Sequence, residues 1–128
     1  METKHIVMID DDEEDFMLLQ IAFQQYAPEV KLNWFESADA FLGSHIWEQQ
    51  PIHLFVFDLM VDENEPHWQA TLRRQVGCEA VPMVIHSGSE APGDRETMID
   101  EGAVDFLVKA ATVDATRQTV GRMLAYMA

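Results

Sequence analysis

Five short apolar runs recur along the chain, and a longer segment with apolar residues three and four apart follows each of them. Runs of five or six residues rich in Val, Ile and Phe are typical of strands buried on both faces. The predicted strands cover residues 5–9, 30–35, 52–57, 81–85 and 104–108. The second run alternates apolar and polar residues more than the others, so it is predicted to be an edge strand.

The segments between the runs predict five amphipathic helices. Their apolar positions are Phe16, Leu19, Phe23 and Tyr26; Phe41, Leu42, Ile46 and Trp47; Trp68, Leu72 and Val76; Met98 and Ile99; and Val120, Met123, Leu124 and Met127. Strands that alternate with helices predict an α/β fold with a parallel sheet covered on both sides. We expect one domain over residues 1–128, a flavodoxin-like doubly wound five-stranded sheet in the order 2-1-3-4-5.

Composition and charge narrow the possible partners. The 128 residues are 48% hydrophobic and 24% charged, which is typical of one globular domain. A formal net charge of −15 disfavours nucleic acid and anionic membranes. No apolar stretch approaches the length of a membrane span. The single cysteine excludes an internal disulfide, and no signal peptide is evident, so a cytoplasmic location is expected.

Polar residues follow four of the five predicted strands. Asp10 and Asp11 follow the first, Asp58 the third, Ser87 the fourth and Lys109 the fifth. In an open parallel sheet these strand ends share one edge, where ligands bind. Three carboxylates that converge there repel one another unless a cation lies among them. Oxygen ligands alone suit Mg²⁺, Ca²⁺ or Mn²⁺, so a divalent-metal site is predicted.

A carboxylate beside a divalent cation can accept a phosphoryl group, whose oxygens a hydroxyl and a lysine can hold. Asp58, Ser87 and Lys109 have these chemistries. The remaining acids of the run, Asp12 to Asp15, are predicted to form the N-cap and first turn of the first helix, where acidic residues are favoured.

The acid pair 10–11, the Asp after Leu-Phe-Val-Phe, and the segments 81–88 and 101–109 together resemble the receiver domain of two-component response regulators. The resemblance to this CheY-like family spans essentially the whole chain, and residues 8–20 are similar to single-domain regulators that work with phytochrome-type kinases. It implies no output domain. It also implies no separate enzymatic substrate, because a receiver assists only its own phosphoryl transfer and autodephosphorylation.

The resemblance further implies a role for each site residue. Asp58 accepts a phosphoryl group from a sensor histidine kinase or a phosphotransfer protein. Asp11, Asp58 and the backbone carbonyl of Met60 bind Mg²⁺, and Asp10 binds it through water. Lys109 pairs with the phosphoryl group or with Asp58.

A conformational switch is also implied. Ser87 moves toward the phosphoryl group and Phe106 turns inward, which alters the face of the fourth helix, fifth strand and fifth helix. Output is by protein–protein contact with an unknown downstream protein, and a homodimer through the same face is a further expectation.

Three departures from the family pattern keep a degenerate, phosphorylation-independent interaction module open. Ala110 stands where the family has Pro, the loop 59–66 has neither Pro nor Gly at the family's positions and gains three acids, and Phe106 replaces Tyr. A phosphatase is a third reading, because Asp10-x-Asp12 also resembles the nucleophile and general acid of haloacid-dehalogenase-type enzymes. That reading leaves Asp58 unexplained.

An FMN site is disfavoured, because acids stand where a phosphate loop needs hydroxyls and backbone N–H groups.

Overall fold

A computed structural model describes residues 3–59, 61, 67–88 and 90–128. Its five strands are β1 (Lys4–Ile9), β2 (Val30–Phe35), β3 (Leu54–Phe57), β4 (Met83–Ser87) and β5 (Asp105–Val108). All neighbouring strands pair in parallel, in the order β2-β1-β3-β4-β5. The predicted sheet is therefore confirmed, and its second strand lies at an edge.

The helices are α1 (Glu13–Tyr26), α2 (Ala38–Ser44), α3 (Ile46–Gln49), α4 (Trp68–Gln75), α5 (Asp94–Asp100) and α6 (Val113–Tyr126). All five predicted helical segments are present, and the second is broken into α2 and α3 at His45, whose φ is 52°. The Ser44 hydroxyl accepts a hydrogen bond of 3.2 Å from the Ile46 backbone N–H. This local bond gives the backbone an alternative to continuous helix, which spacing alone does not reveal.

Several predicted strand boundaries differ from the structure, by one residue at the starts of β1 and β5 and by two residues in β3 and β4. Both β3 and β4 begin two residues later than the apolar runs indicate, at Leu54 and Met83. Pro82 cannot donate to a sheet ladder, which favours a start after it. The fourth strand extends to Ser87, so His86 and Ser87 belong to the sheet itself rather than to the loop.

Alternate side chains of the sheet form two cores. Strand residues such as Ile9, Phe57 and Ile85 pack on one side with residues of α2, α4 and α5. Met8, Val56 and Leu107 pack on the other side with residues of α1 and α6. Asp10, Asp58 and Lys109 each stand two residues after one of this second set, so the period of two carries them to the α1–α6 side.

The first turn of α1 is built as the sequence predicts. Asp12 is its N-cap, and the Asp12 side chain accepts a hydrogen bond of 2.9 Å from the Glu14 N–H. The helix therefore begins next to the carboxyl end of β1. Within the part of the chain that the structure describes, no helix has both the length and the apolar character that crossing a membrane requires.

Candidate functional site

Asp10 is fixed by its backbone as well as by its side chain. Its N–H donates to the Phe35 carbonyl at 3.1 Å, and its own carbonyl accepts a 2.7 Å hydrogen bond from the Trp34 indole N–H. Its side-chain Oδ1 accepts a 2.9 Å hydrogen bond from the Asp12 N–H. The edge strand β2 and the start of α1 thus both hold this residue.

Asp58 lies beside it because β1 and β3 are neighbours. The Asp58 N–H continues the ladder with a 2.9 Å bond to the Ile9 carbonyl. Carboxylate oxygens of Asp10, Asp11 and Asp58 all lie within 4.8 Å of one another. Asp10 and Asp58 are buried, whereas Asp11 is exposed. Three converging carboxylates, one of them open to solvent, fit a hard divalent cation such as Mg²⁺, Mn²⁺ or Ca²⁺.

Lys109 reaches this cluster from β5 and contacts three carboxylates. Its Nζ lies 2.6 Å from Asp15 Oδ2, 2.8 Å from Asp10 Oδ2 and 3.3 Å from Asp58 Oδ2. Its backbone N–H donates to the Ser87 carbonyl at 2.7 Å. The following peptide bond to Ala110 is trans. Lys109 therefore reaches the acids without the proline that usually follows this lysine.

Burial and charge oppose each other in this cluster. Burial raises the pKa of Asp10 to about 6, against the opposite effects of Lys109 and the Asp12 N–H, and the nearby Asp58 carboxylate adds to the rise. Burial by itself lowers the pKa of Lys109, but the carboxylates of Asp10 and Asp15 outweigh it and the net change is upward. The lysine is therefore a permanent cation at neutral pH, which offsets part of the repulsion among the acids.

His86 is a buried histidine next to the site. His86 is 4% exposed, and its Nδ1 atom has no hydrogen-bond partner among the described residues. Burial, followed by the positive charge of Lys109, lowers the pKa of His86 to about 4, although the Asp58 carboxylate acts in the opposite direction. The imidazole is neutral at pH 7. Sequence reasoning assigned it no role.

The two residues assigned to the switch are both buried. Ser87 is the last residue of β4, and the Phe106 ring in β5 is 1% exposed. The Arg95 guanidinium lies over that ring, 5.5 Å from its centroid. The Phe106 ring therefore faces the interior of the fold.

A cavity of about 400 Å³ opens onto the cluster at the carboxyl edge of the sheet. It is lined by Asp11, Asp15, Asp58, Gly88, Lys109 and Ala110, among others. This opening gives the Asp58 carboxylate a path to solvent although the residue itself is only 4% exposed.

The structure brings together the predicted residues Asp10, Asp11, Asp58 and Lys109. The predicted carbonyl ligand Met60 lies outside the described residues, as do the loop acids between 62 and 66.

Two further site residues were not predicted, Asp15 and Trp34. Asp15 does lie in the first turn of α1 as expected, but its side chain also contacts Lys109. Its position four residues before the buried Leu19 is the signal that sets it apart from its acidic neighbours.

The sequence matches no protein-family model and no curated protein. Solved structures match the fold over nearly the whole chain. The phosphorylated cyanobacterial phytochrome response regulator RcpA has a TM-score of 0.79 at 18% identity, covering 98% of this chain and 94% of that one. The Mn²⁺-bound response regulator Rcp1 has a TM-score of 0.75 at 16% identity, covering 95% and 92%.

A response regulator from Thermotoga maritima has a TM-score of 0.75 at 15% identity, and the match covers 96% of this chain and 98% of that one. The sequence identities to these three structures are low, so the similarity establishes the fold alone. The chain has the fold of response regulator receiver domains.

Proposed function

We propose that this chain is a phospho-acceptor receiver domain of two-component signal transduction, in which Asp58 accepts a phosphoryl group with the help of Mg²⁺. One observation carries the proposal. The Asp58 carboxylate stands at the floor of a solvent-open cavity, 3.3 Å from the Lys109 ammonium and within 4.8 Å of the carboxylates of Asp10 and Asp11. The carboxylate proposed as acceptor, the lysine cation and two further carboxylates that could hold a metal thus share one edge of the sheet.

In the proposed reaction an Asp58 oxygen forms a bond to phosphorus. The bond from phosphorus to the donor breaks, and the leaving group keeps its electron pair. With a phosphohistidine donor this is a P–N bond, so the product imidazole takes up a proton. Water later attacks the phosphorus of the acyl phosphate, which releases inorganic phosphate and restores the Asp58 carboxylate.

The chain's own residues position and neutralise the reacting group. Asp11 and Asp58 would hold Mg²⁺ directly and Asp10 through water, with the Met60 carbonyl as a further ligand. Bound there, Mg²⁺ would neutralise charge on the phosphoryl oxygens. Lys109 supplies a second positive charge 3.3 Å from Asp58 Oδ2, and the Ser87 hydroxyl would supply a donor for a phosphoryl oxygen.

The proposed phosphoryl donor is a sensor histidine kinase or a phosphotransfer protein. Two fold relatives support the chemistry, since one is described as phosphorylated and another as Mn²⁺-bound. Output would pass by protein contact, to a downstream protein or a second copy, through the face formed by α5, β5 and α6. Movement of Ser87 and the packing of Phe106 would couple the site to that face. A cytoplasmic location belongs to the same proposal.

A phosphorylation-independent interaction module is the second candidate. The observation that favours it is Ala110, which stands after Lys109 where the receiver pattern has proline. Together with the altered loop after Asp58, this departure could prevent a working switch and leave a receiver that binds its partner without phosphorylation. The phosphatase reading is weaker, because Asp10, unlike Asp58, is not among the residues that line the cavity, and its Oδ1 is held by the Asp12 N–H.

Intact mass after incubation with acetyl phosphate tests the proposal. We expect the wild type to gain the mass of one phosphoryl group with Mg²⁺ and none after chelation. The Asp58→Asn variant should gain none, whereas Asp39→Asn, which changes an exposed acid in α2, should behave as the wild type. No gain under conditions that label a receiver of known activity would favour the interaction module.

A further inference from the structure

We propose that Asp15 is a positioning residue, which holds the Lys109 ammonium beside Asp58 without depending on the carboxylates that bind the metal. This inference rests on the proposed phosphoryl transfer and assigns a part in it to a residue of α1. Asp15 Oδ2 makes the shortest of the three carboxylate contacts of Lys109, 2.6 Å against 2.8 Å to Asp10 and 3.3 Å to Asp58. The contact joins positions 94 residues apart in the chain.

Lys109 needs a carboxylate partner of its own, because the other two carboxylates that it contacts are proposed to bind the metal. Asp10 and Asp58 belong to the group whose oxygens converge within 4.8 Å, and Asp15 does not. A divalent cation among the converging acids competes with the ammonium for their oxygens and also repels it. Among the described residues, Asp15 is then the one contacting carboxylate left wholly to Lys109, so the ammonium stays within reach of an incoming phosphoryl oxygen.

The side chain of Lys109 cannot fix its own end. Four methylene groups separate the ammonium from the backbone, and each can rotate, so its position depends on what binds it. The backbone is fixed by the hydrogen bond to the Ser87 carbonyl, but that bond does not orient Nζ. A carboxylate on a rigid element supplies the missing constraint.

Asp15 is carried by such an element. The first turn of α1 is capped by Asp12, and the next residue, Phe16, stacks on Trp34 with ring centroids 5.1 Å apart and planes 10° apart. The Asp15 side chain is 26% exposed and that of Lys109 only 11%. The ion pair is therefore partly shielded from water, and it is stronger than one on an open surface.

Three substitutions separate positioning from simple charge. Asp15→Leu keeps the approximate size and removes the acceptor, while Asp15→Asn removes the charge and keeps an acceptor oxygen. Glu14→Gln removes the same unit charge from the adjacent exposed residue. Less negative charge alone should speed the approach of an anionic donor, so a pure charge effect predicts faster labelling in all three variants. Positioning predicts slower labelling in Asp15→Leu.

The ammonium itself can be observed, whether or not the protein is phosphorylated. The chain has three lysines, at positions 4, 31 and 109, so side-chain ¹⁵N NMR of lysine-labelled protein is simple to assign. We expect a slowly exchanging ammonium signal from Lys109 in the wild type and in Glu14→Gln, both with and without Mg²⁺. Asp15→Leu should lose this signal when Mg²⁺ is added, and Asp15→Asn should retain part of it. A signal that persists unchanged in Asp15→Leu would overturn the proposal.

Labelling rates then connect the position of Lys109 to the chemistry. With acetyl phosphate and saturating Mg²⁺, we expect labelling to be about tenfold slower in Asp15→Leu and partly restored in Asp15→Asn. In a Lys109→Gln background, Asp15→Leu should cause no further loss, because Asp15 acts through Lys109. Equal rates in Asp15→Leu and Glu14→Gln would overturn the proposal. A wild type that takes up no phosphoryl group would instead overturn the proposed function, and the NMR result would still decide what holds Lys109.

Discussion

The indole N–H of Trp34 donates a 2.7 Å hydrogen bond to the backbone carbonyl of Asp10. Trp34 belongs to the edge strand β2, and its ring stacks on Phe16 of α1. Two elements that flank the acidic cluster are thus tied to the peptide between Asp10 and Asp11, the pair proposed to bind the metal. The edge strand therefore has a part in the site beyond completing the sheet.

Replacing Trp34 by Phe should loosen this peptide while retaining an aromatic ring against Phe16. Loss of the donor leaves a partly buried carbonyl unpaired, which should cost about 1 kcal/mol in the free energy of unfolding. Mg²⁺ affinity should fall severalfold. Urea denaturation and a Mg²⁺ titration by calorimetry measure the two effects. Trp47→Phe in α3 is the control, since its ring contacts Phe41 and His45 far from the acids; equal losses of Mg²⁺ affinity in both variants would contradict the assignment.

The pKa of Asp10, about 6, predicts that protons compete with Mg²⁺. Metal binding requires the carboxylate, and Asp10 becomes protonated as the pH falls below 6. Mg²⁺ affinity should therefore fall as the pH drops from 7 to 5, approaching about a tenfold loss per pH unit below the pKa. Calorimetric titrations across this range test it. In Asp10→Asn the dependence should be much shallower; an equally steep slope there would assign the proton to another group.

The buried His86 is expected to make the folded chain less stable as the pH falls. Its pKa is about 4 in the folded chain and 6.5 ordinarily, so between these values the unfolded state binds the proton. His86 therefore reduces the free energy of unfolding as the pH falls from 6.5 to 4, by about 3 kcal/mol. Asp10 has the opposite effect on the free energy of unfolding. Between pH 3.8 and about pH 6 the folded state holds the Asp10 proton, so this group adds stability as the pH falls.

The two opposing contributions are separated by the His86→Leu variant. Urea denaturation at several pH values should show the wild type losing stability relative to His86→Leu as the pH drops from 6.5 to 4. Parallel curves for the two proteins would show that the folded imidazole is protonated as easily as the unfolded one.

Tyr126 is expected to stabilise the face formed by α5, β5 and α6. Its hydroxyl donates a 2.7 Å hydrogen bond to the buried carboxylate of Asp105, which also lies 2.8 Å from Arg122. The hydrogen bond to Asp105 raises the pKa of the Tyr126 phenol above its ordinary value. Tyr126→Phe should reduce the free energy of unfolding by about 1–2 kcal/mol, as loss of a bond to a charged group does. In an Asp105→Asn background the loss should be smaller, and an equal loss would show that the carboxylate is not the partner.

Hydrophobic periodicity predicted the alternation of strands and helices, because each strand carries a run of buried residues between longer amphipathic segments; the order 2-1-3-4-5 came from the doubly wound class that such alternation indicates. It also brought Asp10, Asp11, Asp58 and Lys109 to one edge, since a parallel sheet aligns the ends of its strands. Strand limits were predicted less well, as with β4, because periodicity does not register that Pro82 lacks an N–H.

The residues that sequence analysis missed act through contacts that periodicity does not encode. Asp15 lies in a run of acids that all suit a helix start, and only the folded chain shows that Lys109 reaches it. The sequence pattern predicts only that Trp34 is an aromatic residue of an edge strand. Its hydrogen bond to the Asp10 carbonyl depends on the direction of the indole N–H, which the pattern does not show. The burial of His86 follows from β4 extending two residues further than its apolar run.

The central claim, that Asp58 accepts a phosphoryl group, is tested most directly by locating that group. Protein incubated with acetyl phosphate and Mg²⁺ can be reduced with borohydride, which converts an aspartyl phosphate into homoserine, and then sequenced by peptide mass spectrometry. The account predicts homoserine at position 58 alone, and none when Mg²⁺ is chelated. Homoserine at position 10 or 11, or unmodified aspartate at all three positions, would contradict it.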